Sequence, residues 1–476
     1  MVSLRGARLI AFAGVVACGG GGSSDDAGTS SESGTSMSTA PATSEASSTV
    51  DTSGAPDSSS GSGMPASSSE ESSGTTGEPV MPQVLLPRTS ILAEELAVLV
   101  NDADPQSVAV AEYYVSARQI PEANVVHLTL PVGQNVLSQV DFAAAKAIVD
   151  AALGDEIQAL AITWTLPYRV DCMSITSAFA FGFDMQHCST PCSETLEVDS
   201  YDSPSLAPWT DHGIRPAMML AGADVDDVQA LIDRGIAADG TMPFGDGYMV
   251  ATTDGARSSR SFEFPMTVDL FDHEGGLLLE FIDNSDGAGM DFIESTTDVL
   301  FYFTGLVSVP QIATNTYLPG AIADHLTSYG GEVPTSSQMS CVAWLEAGAT
   351  ASYGTVVEPC NYPSKFPNPL VALPHYFRGQ TLIEAYWKSV SMPGEGLFVG
   401  EPLARPWSET LVSFEGGTLT IETTLLAPGV DYDVQAGDTI DGPWTTVFTG
   451  SVPYPVFIAI EIPDATAPFY RLLPSE

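Results

Sequence analysis

"LAVLVNDADPQSVAVAEYYVSARQ", Leu96 to Gln119, holds the two signals that decide the fold. Its first five residues are an uninterrupted apolar run, which is typical of a strand buried on both faces. Asp104 then stands in an N-cap position ahead of Pro105, and apolar residues follow at helical spacing. The stretch therefore predicts a buried strand that leads directly into an amphipathic helix.

The same alternation continues along the chain. Strand-like and helix-like runs form the pairs "NVVHLTL" with "DFAAAKAIVDAAL", "RPAMMLAG" with "DVDDVQALIDRGIAA", "DVLFYFTG" with "LPGAIADHLTSYGG", and "ATASYGTVV" with "TLIEAYWKSV". A further buried strand, "IQALAITWTL", is expected to end near Arg169. Parallel strands need crossover connections, so the alternation predicts a three-layer α/β domain with a mainly parallel sheet over residues 86–407.

After Trp407 the pattern changes to short strand-like runs separated by Gly, Pro and Asp. This predicts a small β-sandwich over residues 408–476. Nothing in it indicates catalysis, so a stabilising or spacing module is the favoured interpretation.

The first residues indicate export. Arg5 and Arg8 precede a short apolar run, and Val15 to Cys18 resembles the lipobox of bacterial lipoproteins, in which the peptide is cut before the cysteine and its thiol is acylated. A secretory leader that contains a cysteine by chance is the alternative. We therefore expect a signal peptide over 1–17, lipidation at Cys18, and a lipid-anchored location in the cell envelope. Gly19, rather than Asp, follows the cysteine, which favours the outer membrane or cell surface.

Residues 18–85 are expected to form a flexible tether. From Gly19 to Val80 the chain is mostly Gly, Ser, Thr, Ala and Pro, with no Lys or Arg and little to bury. The formal net charge of the whole chain is −45, which excludes nucleic acid as a partner. The expected partners are the membrane, through the lipid, and an unknown ligand or envelope component.

Five cysteines remain in the exported part, where disulfides persist. Two bridges and one spare thiol are therefore expected, and the local choices of pairing are Cys172 with Cys188 or Cys192, and Cys341 with Cys360. The first three could also bind zinc together with His187. That spacing is not a common zinc pattern, so a disulfide is favoured and no metal is predicted.

Cys360 lies fifteen residues before His375, in "EPCNYPSKFPNPLVALPH". Three interpretations are open for Cys360: a disulfide to Cys341, a buried inert thiol, or a catalytic thiol–imidazole pair with His375. The disulfide is favoured because the compartment is oxidising.

Polar side chains follow the predicted strands. Parallel sheets bind ligands at the carboxyl ends of their strands, so a ligand site is expected at one sheet edge. The candidate ligand-binding residues are Asp102, Arg169, Asp254 and Glu358, and Arg257 and Arg260 could either join them or form internal ion pairs. No dinucleotide fingerprint and no P-loop is present, so no cofactor is predicted.

Several blocks resemble a family of exported bacterial proteins that has no established activity. They include "VLVNDADPQSVAVAEYYVSARQIPEANVVHL", "WLEAGATASYGTVVEPCNYPSKFPNP" and "LFVGEPLARPW", and the resemblance covers nearly all of Leu96 to Trp407. It implies an exported protein and brings no reaction with it.

A more distant resemblance is to caspase-like folds, with the gingipain-type cysteine peptidases as the closest comparison. It rests on the order "WLEAGA", "GTV", "LIEAYW", "LFVGEPL", followed by a β-sandwich. In those peptidases a histidine follows one central strand and a cysteine follows the next. Here "DVLFYFTG" ends at Gly305 without a histidine, and Cys341 stands near the position of the nucleophile.

The resemblance therefore implies a caspase-like domain that has lost its catalytic pair and acts by binding or in envelope organisation. The alternative is a hydrolase with an unconventional site built from Asp102, Arg169, Glu358 and Cys360. Whether the chain is an enzyme is left open, with a non-catalytic role favoured.

Overall fold

The computed structural model describes residues 81–189 and 192–475. The predicted signal peptide, the Cys18 lipidation site and the tether up to residue 80 lie outside the described residues. Within the described ranges, no helix is long and apolar enough to cross a membrane.

The described residues form twenty strands and nine α-helices. The strands are β1 (Gln83–Leu85), β2 (Leu96–Asn101), β3 (Val125–Leu128), β4 (Val136–Leu137), β5 (Ala159–Ile162), β6 (Arg169–Val170), β7 (Met173–Ser174), β8 (Ala217–Met219), β9 (Asp246–Ala251), β10 (Leu278–Asp283), β11 (Val299–Thr304), β12 (Tyr317–His325), β13 (Ala351–Thr355), β14 (Gly396–Gly400), β15 (Leu411–Glu415), β16 (Thr418–Thr423), β17 (Asp431–Gly437), β18 (Trp444–Ser451), β19 (Ile458–Ile462) and β20 (Phe469–Pro474). The helices are α1 (Pro105–Arg118), α2 (Gln139–Ala152), α3 (Ile175–Phe181), α4 (Pro208–His212), α5 (Val225–Ala238), α6 (Glu263–Phe271), α7 (Val342–Ala347), α8 (Pro369–Phe377) and α9 (Leu382–Lys388).

Ten strands form the main sheet, in the order β10-β9-β11-β12-β13-β14-β8-β5-β2-β3. Every neighbouring pair is parallel except β13 and β14, which are antiparallel. The prediction of an α/β domain with a mainly parallel sheet is confirmed. The sheet nevertheless consists of two parallel halves that run in opposite directions: a first half of β14, β8, β5, β2 and β3, and a second half of β9 to β13.

This reversal separates the carboxyl ends of the strands. The first half finishes at one end of the sheet, which we name the Asn101 end, and the second half finishes at the other, the Thr304 end. The expectation that all carboxyl ends meet at a single edge is therefore wrong. A short apolar run does not indicate the direction of its strand in the sheet. The alternation of segments therefore could not predict the change of direction between β13 and β14.

Both faces of the sheet are covered, as strand β2 illustrates. Its residues are all buried. Leu96, Val98 and Val100 pack in one core with side chains of α1 and α5, and Ala97 and Leu99 pack in a second core with α2 and α3. Full burial of one such valine or leucine contributes about 1.5–3 kcal/mol, so these two cores hold the three layers together.

Local signals are confirmed at α1. The Asp104 carboxylate accepts the backbone N–H of Gln106 at 3.0 Å, and Pro105 occupies the first turn. This cap satisfies a donor that the helix itself leaves free, so the helix starts where the sequence predicts.

Two predicted segments are wrong. "LPGAIADH", expected to begin a helix, forms strand β12, and its residues from Gly320 onwards are buried in the middle of the sheet. Pro319 and Gly320 are weak helix formers, and a short apolar run fits either structure. Strand β5 ends at Ile162, and Arg169 belongs to the separate three-stranded sheet β4-β6-β7.

The residues after Trp407 form two sheets, β1-β20-β17-β18 and β15-β16-β19, around a shared core that includes Leu419, Ile421, Val434 and Tyr470. Strand β1 comes from the segment expected to be tether, and it pairs in parallel with β20. The backbone N–H of Phe457 donates to the carbonyl of Gly275 at 2.8 Å, which joins the module to the loop before β10.

Candidate functional site

The end of β11, where gingipain-type peptidases carry a histidine that this chain lacks, is covered by the loop that follows β9. The hydroxyl of Thr252 donates to the carbonyl of Gly305 at 2.6 Å. A Cβ on Gly305 would overlap the carbonyl of Arg257, and a Cβ on Gly354 in β13 would overlap the backbone of Gly330. Only glycine allows such close approach of two backbones, so backbone covers these two strand ends.

A buried ion pair lies beside this cover. The Arg260 guanidinium binds the Asp324 carboxylate, and both side chains are at most 2% exposed. The guanidinium also donates to the carbonyls of Thr304 and Pro367 at 3.0 and 2.9 Å, while the Tyr386 hydroxyl donates to Asp324 at 3.2 Å. Burial raises the pKa of Asp324 although Arg260 opposes this effect. Arg260 was expected either to join a ligand site or to form an internal ion pair, and in the structure it forms the ion pair.

Arg257 and Asp254 pair with each other at the same end, at 2.7 Å. The Arg257 guanidinium also donates to the hydroxyl of Thr327 at 3.2 Å. Both side chains are therefore engaged within the protein, and they hold the covering loop against the strand ends.

His325 ends strand β12 next to this ion pair, but it is not placed to act as a base. The indole N–H of Trp344 donates to its Nδ1 at 3.0 Å. The neutral ring must then carry its proton on Nε2, which has no hydrogen-bond partner among the described residues. Burial lowers the pKa of His325 to about 3. The ring therefore stays neutral and has no free lone pair for a proton.

Cys341 is the free cysteine of the described residues, and it is fully buried. Burial raises the pKa of its thiol to about 12. A thiol in this state is not a nucleophile near neutral pH, because the thiolate is the reactive form. The expected bridge between Cys341 and Cys360 is wrong.

Cys360 is instead bound to Cys192, 168 residues away in sequence. His375 lies in α8, where its Nε2 contacts the Asp202 carboxylate at 3.0 Å. Burial lowers the pKa of His375 to about 4. The candidate pair of Cys360 and His375 is therefore absent from the described structure, and both residues have structural partners.

The other predicted bridge, Cys172 with Cys188, is present. His187 is buried against the ring of Phe181. All three neighbouring cysteines are in disulfides, and the described part of the chain has no group of three or more His, Cys, Asp or Glu residues placed to hold a metal ion.

The predicted ligand-binding residues do not meet. Asp102 lies at the Asn101 end, where it contacts His127 at 2.7 Å. Glu358 follows β13 at the Thr304 end and accepts the N–H of Cys360 at 2.9 Å. Arg169 donates to the carbonyl of Asp171 at 2.9 Å in the small sheet. A hydrolase site built from Asp102, Arg169, Glu358 and Cys360 is therefore excluded by this geometry.

A groove of about 470 Å³ lies elsewhere, where β9 and β10 begin. It is bounded by these strands, by the end of α6 and by the loop that joins α6 to β10. Its apolar wall includes Val268, Phe271, Leu277 and Leu279, and its acidic side chains are Asp246, Asp272, Glu274 and Glu280. The volume is in the range of ligand sites, and the lining combines apolar surface with a few charges.

His273 fixes one side of this groove to the β-sandwich. Its Nε2 lies 3.0 Å from the carbonyl of Pro455, and its ring packs against Tyr454 with centroids 5.1 Å apart. This site was not predicted from the sequence. The segment "DHEGGLLLE" could have indicated it, because an acidic Gly-Gly turn is followed there by a strand-like run without Lys or Pro.

Comparison of the chain with models of known protein families, with curated proteins and with solved structures finds no match. The geometry of the two sheet ends and of the groove is therefore the basis for inferring a function.

Proposed function

We propose that this chain is a non-catalytic binding protein of the bacterial cell envelope, built on a caspase-like α/β domain, and that it binds its ligand in the groove at the start of β9 and β10. The proposal unites the lipobox-like start of the sequence, the closed Thr304 end and the open acidic groove.

The observation that carries the non-catalytic part is the contact between Gly305 and Arg257. A caspase-like peptidase needs its histidine and cysteine free at the ends of two neighbouring strands. Here the end of β11 is covered by backbone, and β12 is followed by Leu326 and Thr327 rather than by a cysteine. A buried thiol and a neutral, occupied imidazole supply neither nucleophile nor base.

The caspase-like part of the proposal is supported by the arrangement of neighbouring strands and by the order of the domains. Strands β11 and β12 are parallel neighbours inside a mainly parallel sheet, and the small β-sandwich follows the domain as it does in gingipain-type peptidases. The envelope location is supported by the lipobox-like residues that end at Cys18 and by the Ser- and Gly-rich segment after them.

The test combines a cleavage assay with thiol labelling. Purified wild-type protein and Cys341→Ala are incubated with a fluorogenic peptide library, and we expect no cleavage that depends on Cys341. Iodoacetamide should modify Cys341 only after denaturation, as read by mass spectrometry. Cleavage by the wild type that Cys341→Ala abolishes would overturn the proposal.

A further inference from the structure

We infer that the groove and the outer edge of β10 together bind an extended, lysine- or arginine-bearing segment of a partner protein, which adds to the main sheet as an eleventh strand. This inference rests on the proposed binding function and names the class of ligand for it.

Strand β10 lies at the edge of the main sheet. All six residues from Leu278 to Asp283 pair with β9 on the inner side. On the outer side, the strand has no hydrogen-bonded neighbour among the described residues. Every second residue therefore directs its N–H and C=O groups outward, which is the template that peptides use in strand addition.

The edge of β10 lacks most of the features that usually protect an edge strand from pairing with another chain. Natural edge strands are commonly blocked by lysine, proline, a bulge or a covering segment. Strand β10 contains neither lysine nor proline and keeps a regular register with β9. Leu278 is 60% exposed at its start, and Phe244, two residues before β9, is 90% exposed. Leu278 also lines the groove, so its apolar side chain adds contact surface there.

The charge of the groove favours a basic ligand. Four carboxylates line the groove, and no lysine or arginine does so among the described residues. Opposite charges attract more strongly where apolar walls limit solvent, so a basic segment is favoured and an acidic one is repelled. Residues 19–80 of this chain contain no Lys or Arg. A partner protein therefore fits the site better than the tether of a second copy.

The experiment uses the full-length protein and three fluorescent eight-residue peptides. One alternates Lys and Val, one alternates Glu and Val, and the third is the Lys-Val peptide with N-methyl groups on every second amide. Anisotropy titrations at low salt should show that the first binds at least tenfold more tightly than the other two. Equal binding of the methylated peptide would exclude strand addition, and equal binding of the acidic peptide would exclude charge recognition.

Two variants locate the site. Glu280→Lys, on β10, should weaken binding of the Lys-Val peptide at least tenfold. Glu415→Lys is the matched control, because Glu415 is an exposed glutamate on the edge strand β15 and does not line the groove; it should change the affinity less than twofold. Equal losses in the two variants would overturn the assignment.

The same samples separate this inference from the proposed function. After incubation, the peptides are analysed by mass spectrometry. Intact but unbound Lys-Val peptide overturns only the present inference, whereas cleaved peptide overturns the non-catalytic function on which it rests.

Discussion

The two halves of the sheet have the same strand order. They differ in how the crevice is covered at the point where that order reverses. The spatial order is β3-β2-β5-β8 in the first half and β10-β9-β11-β12 in the second. In each half, the second strand of the chain lies outside the first, and the third lies on the other side. Open α/β sheets bind ligands at the carboxyl ends beside such a reversal. The two crevices lie between β2 and β5 at the Asn101 end and between β9 and β11 at the Thr304 end.

Next to each crevice, an aspartate is paired with a basic side chain: Asp102 with His127 of β3, and Asp324 of β12 with Arg260. The two pairs lie at opposite extremes of burial. The side chains of Asp102 and His127 are 47% and 61% exposed, whereas those of Asp324 and Arg260 are almost fully buried. The difference teaches that winding order alone does not create a site. The loop that covers a crevice decides whether its charges face a ligand or stabilise the fold.

The largest expected effect tests the covered crevice. Asp324→Ala leaves the Arg260 guanidinium buried without its counter-charge, which typically costs about 3–5 kcal/mol. We expect the free energy of unfolding to fall by that amount in urea denaturation at pH 7. A loss below about 1 kcal/mol would contradict the burial of this pair.

A double variant separates the charge from the packing. Arg260→Met with Asp324→Leu removes both charges and keeps apolar bulk. Most of the stability lost in Asp324→Ala should return, because no unpaired charge remains. If the double variant is as unstable as the single one, the loss arises from packing instead.

The second effect concerns the disulfide that follows β13 at the Thr304 end. Replacing Cys192 and Cys360 by serine should lower the free energy of unfolding by about 2–4 kcal/mol. The matched control replaces Cys172 and Cys188, whose sequence separation is 16 instead of 168. Because the longer loop restricts the unfolded chain more, the first change should cost more than the second, by up to about 2 kcal/mol, under non-reducing conditions. The reverse order would contradict this model of the bridges.

The third effect is pH-dependent and lies at the start of α6, next to the covering loop. Burial raises the pKa of Glu263 from 4.5 to about 7, although Arg260 opposes this effect. Between these two values the unfolded chain has lost the proton that the folded chain keeps, so stability falls as pH rises. At pH 8 the cost is at most about 3 kcal/mol.

Glu263→Gln should therefore stabilise the protein by about 1–3 kcal/mol at pH 8 and change little at pH 4, as measured by urea denaturation at both values. Glu415→Gln, on the exposed strand β15, serves as the control for loss of a carboxylate. A gain from Glu263→Gln that is equal at both pH values would exclude the proton linkage.

Local features of the fold were predictable from the sequence. Asp104 and Pro105 mark the start of α1, and the apolar run before them marks β2, because caps and periodicity act within a few residues. The absence of a histidine after Gly305 was visible in the sequence. The loop that fills its place was not, because the contact between Gly305 and Arg257 joins distant segments.

The features that the sequence could not predict are all non-local. The pairing of Cys192 with Cys360 spans 168 residues, and no spacing rule selects it. The direction of β14 depends on where the chain re-enters the sheet, so the separation of Asp102 from Glu358 could not be foreseen. The groove brings together the starts of β9 and β10 and the end of α6, and a short apolar run does not predict the position of its strand in the sheet.

The smallest expected effect lies in the open crevice. Asp102→Ala removes the carboxylate that contacts His127 at 2.7 Å. Water screens both groups, so exposed pairs contribute only about 0–1 kcal/mol, and added salt reduces this further. We expect a change in the free energy of unfolding below about 1 kcal/mol at low salt and none in 1 M NaCl. A loss comparable to that of Asp324→Ala would mean that the first crevice is closed like the second, and the contrast between the two halves would no longer hold.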